Sequence, residues 1–335
     1  MKPKETAEHY ILSSSPHTHA AVSVRGLMLD VIIALLPTTV AGILFFGLSA
    51  LWTVLTCVAA ALVTEALCRM AMKRESTVGD LSAILTGLLL ALNLPAGIPL
   101  WIAALGSVFA IAVAKQVFGG LGMNPFNPAL AARAFLLVSF AGPMTTWLAP
   151  KAPFGFCAAT APLTTASPLA TEAGVEVLTT ATPLAAIKAG ELASLPSLCE
   201  LFVGHMPGTI GEVSTIALLI GAAYLLIRRV ITWHIPFAFL ATVAGYAFVV
   251  GRVGVCTELM TGGLMLGAFF MATDYVTSPT LARGKLIFGC GCGLLTMLIR
   301  QFGAYPEGCS FAILIMNAVT PLINRWTQPK PFGAK

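Results

Sequence analysis

Residues 31–48 read VIIALLPTTVAGILFFGL, and residues 51–70 follow closely as LWTVLTCVAAALVTEALCRM. The first stretch has no charged side chain, and the second has only Glu65 and Arg69, which are spaced to pair across one helical turn. About 20 consecutive apolar residues suffice for an α-helix to cross the hydrocarbon core of a bilayer. These stretches therefore predict two neighbouring membrane-spanning helices.

The composition of the whole chain extends this prediction. Of the 335 residues, 57% are hydrophobic and 10% are charged, and the mean hydropathy is +0.89. A soluble domain carries about 25% charged residues, so lipid must cover most of this surface. We predict an all-α integral membrane protein of about ten transmembrane helices. They are placed at residues 31–48, 51–70, 81–94, 98–114, 213–227, 235–251, 259–273, 286–299 and 311–323, with one more opening near Asn124.

Two short segments, 81–94 and 259–273, end in Asn93-Leu94-Pro95 and in Thr273-Asp274, and they predict broken helices rather than simple crossings. They also resemble each other: TGLLLAL begins at Thr86 and TGGLMLG begins at Thr261, and an apolar span follows each. The spans end in KQVFGG from Lys115 and in RQFG from Arg300. With five spans in each half, the sequence predicts two inverted five-helix repeats, an arrangement that places binding sites near the bilayer midplane in many transporters.

Most of the 19 Lys and Arg residues fall on one side of the membrane if the N-terminus is cytoplasmic. The predicted segments are a cytoplasmic N-terminal segment (1–25), a first membrane repeat (26–144), an outer-face loop (145–212), a second membrane repeat (213–325) and a cytoplasmic tail (326–335). The net charge of +5 is then explained by loop orientation, and no nucleic-acid partner is expected. The eight cysteines form no C-x-x-C pair and the histidines show no ligand spacing, so no metal site is expected.

The outer loop contains EVLTTAT from Glu176 to Thr182. A similar string, TTAS, ends at Ser167. A loop rich in Thr, Ala and Pro is by itself typical of a linker, so the sequence of this motif alone does not indicate a binding site.

Several longer motifs give the chain a resemblance to a known family. In chain order they are SPH from Ser15, MLDVIIALLP from Met28, GGLGMNPFNPALAARAF from Gly119, GTIGEVS from Gly208, ATDYVTSP from Ala272 and RQFGAYPEG from Arg300. Over nearly its whole length the chain resembles the D subunits of the Rnf ion-translocating oxidoreductase complexes, a family shared with the B subunit of the Na⁺-translocating NADH:quinone reductase.

The resemblance implies a covalent flavin on the outer loop. In that family a D-x-x-[ST]-[GST]-A-T loop carries FMN, esterified through its phosphate to the last threonine. The matching residue here is Thr182, with Thr179 inside the motif and Glu176 in place of the usual Asp. The earlier string has Ala161 at the acidic position and Ser167 at the acceptor position, which favours Thr182.

The resemblance also implies a function. It places the chain in the cell (inner) membrane as a multi-pass subunit with both termini in the cytoplasm and residues 145–212 outside. Electrons would pass between ferredoxin and NAD⁺, coupled to Na⁺ or H⁺ movement, with Rnf subunits A, B, C, E and G as partners in the bilayer. The G subunit would carry its own flavin, and NAD⁺ and ferredoxin would bind elsewhere.

Three further residues are candidates for the site. Asn124 and Asn127 open a span, where they act either as helix caps or, by the resemblance, in a region associated with a non-covalent riboflavin or quinone. Asp274 ends a short span, where it is either a cap or a contact to flavin or an ion path. A small-solute channel of urea-channel-like architecture is the alternative function, and a covalent flavin on Thr182 would discriminate against it.

Overall fold

The two quoted apolar stretches lie on two long helices joined at Gly47. The computed structural model describes residues 23–75, 77–150, 182–190, 195–204, 206–303 and 307–329. The helices are α1 (Val24–Phe46), α2 (Leu48–Ala71), α3 (Ser82–Leu92), α4 (Leu100–Val108), α5 (Pro128–Ser139), α6 (Ala141–Thr145), α7 (Pro183–Ala189), α8 (Leu198–Val203), α9 (Thr215–Ile227), α10 (His234–Val250), α11 (Val255–Met260), α12 (Leu264–Leu266), α13 (Ala282–Phe302) and α14 (Cys309–Thr327). Within those ranges there is no β-strand, and the all-α prediction is confirmed.

Three shorter elements complete the description. A 3₁₀ turn covers Val78–Asp80. A first π-helix, Phe109–Gln116, continues α4, and a second π-helix, Gly267–Met271, continues α12. π-helical turns inside longer helices occur frequently at functional sites.

The long helices are apolar on both their inner and outer faces, which suits a lipid surrounding. In α1, Leu35 is buried, whereas Leu36 and Val40 are about half exposed. By length and composition α1, α2 and α13 can each cross a membrane. Shorter apolar helices lie at Ser82–Leu92, Leu100–Gln116, Pro128–Ser139, Thr215–Ile227 and His234–Val250. The total of ten spans remains a prediction.

The order and packing of the elements repeat between the two halves. In the first half α2 packs against α3 and α4, and in the second half α10 packs against α11 and α13. The last helix of each half packs on the element before it: α5 packs on the first π-helix, and α14 packs on α13. The helices from α1 to α5 therefore correspond in order to those from α9 to α14.

A short broken helix occurs in each half, as predicted. α3 ends at Leu92, and another segment binds the carbonyls at and just after this end: the Gly211 N–H donates to Leu92 O at 2.8 Å, and the Ile210 N–H donates to Leu94 O at 3.1 Å. A Cβ on residue 211 would lie 2.8 Å from the carbonyl oxygen of Leu92, so only glycine permits this close approach of the two backbone segments. In the second half the chain breaks at Gly262, where φ is +68°. At the end of α3, backbone N–H groups of the protein thus satisfy the carbonyls of the non-helical segment, as is required within the hydrocarbon region of a bilayer.

The predicted outer loop and N-terminal segment are described only in part. Of the loop, the structure describes the chain up to residue 150 and again at 182–190, 195–204 and 206–212. Of the N-terminal segment it describes only Ser23 to Arg25, where the Ser23 hydroxyl caps α1 by accepting from the Gly26 N–H at 3.1 Å. The segment boundaries remain predictions.

Candidate functional site

A cavity opens between α1, α3, α5, α9 and the second π-helix. About 810 Å³ of space between these elements is free of protein atoms, a figure that includes the open solvent at its mouth. Most of its lining is apolar, and the polar side chains of the lining are Ser82, Thr86, Lys115, Asn124, Asn127, Thr273, Asp274 and Tyr275. The structure thus brings together Asn124, Asn127 and Asp274, which lie far apart in the sequence.

Asn127 is a helix cap and also a link between the two halves. Its Oδ1 accepts from the N–H groups of Ala129 and Leu130 at the start of α5, at 3.1 and 3.4 Å. Its Nδ2 donates to Met271 O, at the end of the second π-helix, at 3.3 Å. Because protein groups occupy both ends of the amide, Asn127 shapes the cavity wall.

Asn124 lines the cavity and is 5% exposed. Its Nδ2 donates to Phe126 O at 2.9 Å, which stabilises the turn before α5. Gly119, Gly120 and Gly122 precede it, all with positive φ. This glycine turn lets the chain fold back over the end of the first π-helix and brings Leu121 and Asn124 to the cavity.

Asp274 lies in the connection after the second π-helix, outside the helical segments. Its Oδ2 accepts from the Thr277 hydroxyl at 3.1 Å, as expected for a turn cap. Burial raises the pKa of Asp274 above its ordinary value, opposed by the Thr277 hydroxyl and by the backbone N–H groups of Val276 and Tyr275. The residue therefore caps a turn and faces the cavity at once.

Lys115 forms a fully buried ion pair at the edge of the cavity. Its Nζ lies 3.0 Å from Glu65 Oε1 and 2.6 Å from the Ser82 hydroxyl. Thr77 and Gln116 also donate to Glu65 Oε1, at 2.8 and 3.0 Å. The pairing of Glu65 with Arg69 that the sequence allowed is wrong, because Glu65 points inward to a partner 50 residues away.

Arg300 occupies the matching place in the second half. Its guanidinium donates to Glu258 Oε2 at 2.9 Å, to Glu258 O at 2.9 Å and to Thr261 O at 2.7 Å. It therefore binds the backbone at the break between α11 and α12. Arg300 also lines a second cavity, of about 440 Å³, to which α7 contributes Leu184 and Ile187.

Thr182 is the residue immediately before α7. It is 4% exposed, and its Oγ1 caps the helix by accepting from the Ala185 N–H at 3.2 Å. Pro183 follows at the first helical position, where its missing N–H costs nothing. Glu176 and Thr179, the other predicted residues of this motif, lie outside the described residues.

Sequence reasoning missed a third polar group, centred on Arg133 of α5. Its Nη1 donates to Asn93 Oδ1 at 2.8 Å and to the Ser310 hydroxyl at 3.0 Å, and its Nη2 donates to Glu307. Glu212 Oε1 lies 3.9 Å from Nη2. By its charge alone, Arg133 would be placed at a membrane surface with the other basic residues. The signal that could have located it is a charge within an otherwise apolar helical segment.

Within the described ranges, no group of three or more His, Cys, Asp and Glu side chains could hold a metal ion. The expectation that the chain has no metal site remains a prediction for the whole chain.

The amino-acid sequence matches one known family over nearly its entire length. The family is described as NQR2, RnfD, RnfE, and the match covers residues 11–333. The chain belongs to the NQR2, RnfD, RnfE family. The predicted resemblance is confirmed, and the match extends over both halves and all of the cavities described above.

Relatives within the family are similar over almost their whole lengths. The chain is 49% identical over 324 residues to the D subunit of the Na⁺-translocating ferredoxin:NAD⁺ oxidoreductase complex of Acetobacterium woodii, covering 96% of this chain and 95% of that protein. It is 42% identical over 332 residues to the D subunit of the proton-translocating ferredoxin:NAD⁺ oxidoreductase complex of Clostridium ljungdahlii, covering 97% of each. The D subunit of the ion-translocating oxidoreductase complex of Citrobacter koseri is 39% identical over 348 residues, covering 96% of this chain and 98% of that protein. As a member of this family, the chain is a membrane subunit of an ion-translocating oxidoreductase complex.

Proposed function

We propose that this chain is the D subunit of a complex that couples electron transfer between ferredoxin and NAD⁺ to the movement of Na⁺ or H⁺. The observation that carries the proposal is the match over nearly the whole chain to subunits of that description, one named for Na⁺ and one for protons. Because its relatives are named for both ions, the resemblance leaves the choice of ion open. The partners would be Rnf subunits A, B, C, E and G in the cell membrane.

Thr182 is proposed to carry FMN as a phosphoester. Thr182 caps α7, and the buried residues Leu184 and Ile187 of this helix form part of the wall of the second cavity. The attachment point therefore has a fixed position. When bound, the flavin would supply the redox chemistry, and the protein supplies position and electrostatics. The tether keeps the cofactor at a high effective concentration beside this wall of the protein.

The larger cavity is proposed to hold a second, non-covalent flavin such as riboflavin. Its largely apolar wall with a few polar groups is the usual character of small-molecule sites. Asn124 and Asp274 would orient the ligand, and Phe269 and Phe270 of the second π-helix would provide apolar contact. Asn127 would act indirectly, by fixing the two halves against each other.

The membrane orientation is part of the proposal. Both termini would be cytoplasmic, with residues 145–212 on the outer face. Thr182 would then lie on the outer side, and the larger cavity, next to Lys115 and Asn124, would face the cytoplasm. The excess of basic residues on one side supports this orientation.

Substitution of Thr182 tests the covalent site. We expect Thr182→Ala to abolish the flavin fluorescence of the denatured chain on a gel while leaving membrane insertion intact. Mass spectrometry of the peptide that ends at Lys188 should show an FMN-sized addition in the wild type only. Ser167→Ala is the matched control and should keep the addition. An addition on Ser167 would contradict the assignment, and solute uptake without any bound flavin would favour the channel.

Acid precipitation of the purified complex separates the two proposed flavins. Covalent flavin stays with the protein pellet, and non-covalent flavin is released into the supernatant. We expect Asn124→Leu to lower the released flavin at least about tenfold, through loss of hydrogen bonding at a buried site, with the pellet flavin unchanged. Thr182→Ala should lower the pellet flavin by the share of this subunit and leave the released flavin unchanged. Unchanged released flavin in Asn124→Leu would argue against the cavity as its site.

A further inference from the structure

The second cavity lies at one end of the helix pair α10 and α13, which pack against each other. The lining residues from these two helices all lie near the C-terminal ends, and they are Tyr246, Ala247, Val250, Met297, Arg300 and Gln301. α13 is long and apolar enough to cross a membrane. Polar and basic residues at the end of such a helix lie where the hydrocarbon meets the lipid headgroups, so the cavity lies at that level.

The charged side chains of this cavity are mostly cationic. Lys188, Arg252 and Arg300 line it, against one carboxylate, that of Glu258. Glu258 is already paired, because its Oε2 lies 2.9 Å from Arg300 Nη1. Arg252 is exposed and takes part in none of the ion pairs found among the described residues. The described part of the chain therefore leaves the charge of Arg252 without a counter-charge.

Arg300 adds a buried donor that lacks an acceptor. The residue is 7% exposed, and its two terminal nitrogens donate to Glu258 and to Thr261 O. Its Nε has no hydrogen-bond partner among the described residues. A buried donor without an acceptor is unfavourable. Because Arg300 lines the cavity, an anionic oxygen bound there would supply the missing acceptor.

Much of the remaining wall is apolar and continues onto the exposed surface of α10. Ala247 and Met297 are buried lining residues. Val250 lines the cavity and is also exposed at the protein surface, as are its neighbours Phe248 and Val249. Positive charge at the end of two membrane helices, next to an exposed apolar surface, fits a ligand with an anionic head and long apolar chains.

We propose that the second cavity binds the phosphate group of an anionic phospholipid, whose acyl chains lie beside the exposed apolar surface of α10. Arg252 and the Arg300 Nε donate to the phosphate oxygens, since guanidinium groups bind phosphate strongly, and Lys188 adds positive charge. Basic pockets between membrane helices bind such headgroups. Inorganic phosphate and FMN also carry a phosphate group, but only a phospholipid has long chains that match the apolar surface. Thr182 is not among the lining residues, so the inference does not depend on a flavin there.

The test uses the purified complex in phosphatidylcholine nanodiscs that contain a photoactivatable lipid, either phosphatidylglycerol or phosphatidylcholine, at equal mole fraction. After illumination, mass spectrometry locates the crosslinks on α10 and α13. We expect phosphatidylglycerol to label the C-terminal ends of these helices at least about fivefold more than phosphatidylcholine, because each basic residue near an anionic headgroup contributes about that factor. Equal labelling by the two lipids would overturn the proposal. The absence of labelling there would do the same, because another subunit would then cover the cavity.

Substitution of Arg252 tests the residue that holds the unpaired charge. Arg252→Gln should lower the phosphatidylglycerol labelling about fivefold and leave the phosphatidylcholine labelling unchanged, whereas Arg252→Lys keeps the charge and should retain most of the labelling. The matched control is Arg325→Gln, which removes an exposed arginine in the last turn of α14 that lines neither cavity. It should leave the labelling of α10 and α13 as in the wild type. Wild-type labelling in Arg252→Gln would contradict the assignment.

Two further measurements separate the lipid from the other sources of phosphate. Inorganic phosphate, added at constant ionic strength in exchange for chloride, should leave the phosphatidylglycerol labelling unchanged. Thr182→Ala, which removes the proposed attachment point of FMN, should also leave it unchanged. Loss of labelling in phosphate would identify a site for small anions, and a rise in Thr182→Ala would place the flavin phosphate in the cavity; either result would rule out the lipid. A wild-type chain without bound flavin would contradict the assignment of Thr182 but not this one.

Discussion

The two cavities described above are lined by cationic residues that correspond in the two halves of the chain, yet these residues make different contacts. Lys115 lines the larger cavity and directs its ammonium to the side chains of Glu65 and Ser82. Arg300 lines the smaller cavity and directs two of its three donated bonds to backbone carbonyls, of Glu258 and Thr261. The first cation joins side chains of different helices, and the second fixes a break in the main chain.

The chemistry of the two side chains explains the difference. The ammonium of Lys is a compact charge, whereas the planar guanidinium of Arg presents several donors in a fixed fork. At Lys115 three helical elements meet and a point charge suffices. At Arg300 the chain between α11 and α12 leaves carbonyls without helical partners, and a fork is needed to bind more than one of them.

The largest effect is expected from breaking the Lys115 pair. Lys115→Met leaves Glu65, which is 0% exposed, as a buried unpaired charge. Removal of one partner of a buried ion pair costs about 3–5 kcal/mol. We expect this loss in the free energy of unfolding, measured by denaturation in detergent micelles.

A double variant separates the charge effect from the loss of packing. Lys115→Met combined with Glu65→Leu removes both charges, and replacement of a buried pair by apolar residues is often nearly neutral. We therefore expect the double variant to recover most of the lost stability. If it were as unstable as Lys115→Met alone, packing rather than the unpaired carboxylate would explain the result.

An intermediate effect is expected from Arg300→Lys. The ammonium keeps the charge for Glu258 but cannot reach the carboxylate and the two carbonyls with the geometry of a fork. Each unsatisfied buried carbonyl costs about 1–3 kcal/mol, and we expect a loss of that order. Hydrogen exchange at residues 261–263 should rise in Arg300→Lys and stay unchanged in Lys115→Met. Equal exchange in both variants would show that Arg300 does not hold the break.

The sequence allowed the architecture to be predicted more fully than the contacts. Long apolar runs identify α1 and α2, and the short segments after them identify the broken helices, because length relative to the bilayer is a local property. Asn124, Asn127 and Asp274 were identified separately by motif resemblance. That they line one cavity depends on the packing of the two halves, which no local pattern contains.

The buried charges could not be paired from the sequence for a related reason. Arg69 is one turn from Glu65 and was the nearest partner by spacing, but helical spacing does not say which side of α2 is buried. Glu65 faces the interior, and its partner comes from the first π-helix. By its charge alone, Arg133 would likewise be placed at a membrane surface, whereas the carboxylates that bind it are more than 70 residues away along the chain.

The smallest effect is expected at an ion pair outside both cavities, between Arg228 at the end of α9 and Asp30 of α1. The Arg228 side chain is 57% exposed, and its Nη2 lies 3.3 Å from Asp30 Oδ2. Asp30 also accepts from the Tyr224 hydroxyl at 2.9 Å, so it keeps a partner when Arg228 is removed. Exposed pairs are screened by salt and contribute little. Arg228→Met should therefore shift the unfolding midpoint less than either buried variant, and the shift should vanish at high salt. A shift as large as that of Lys115→Met, or one that salt leaves unchanged, would mean that burial is not what separates the Lys115 pair from this one.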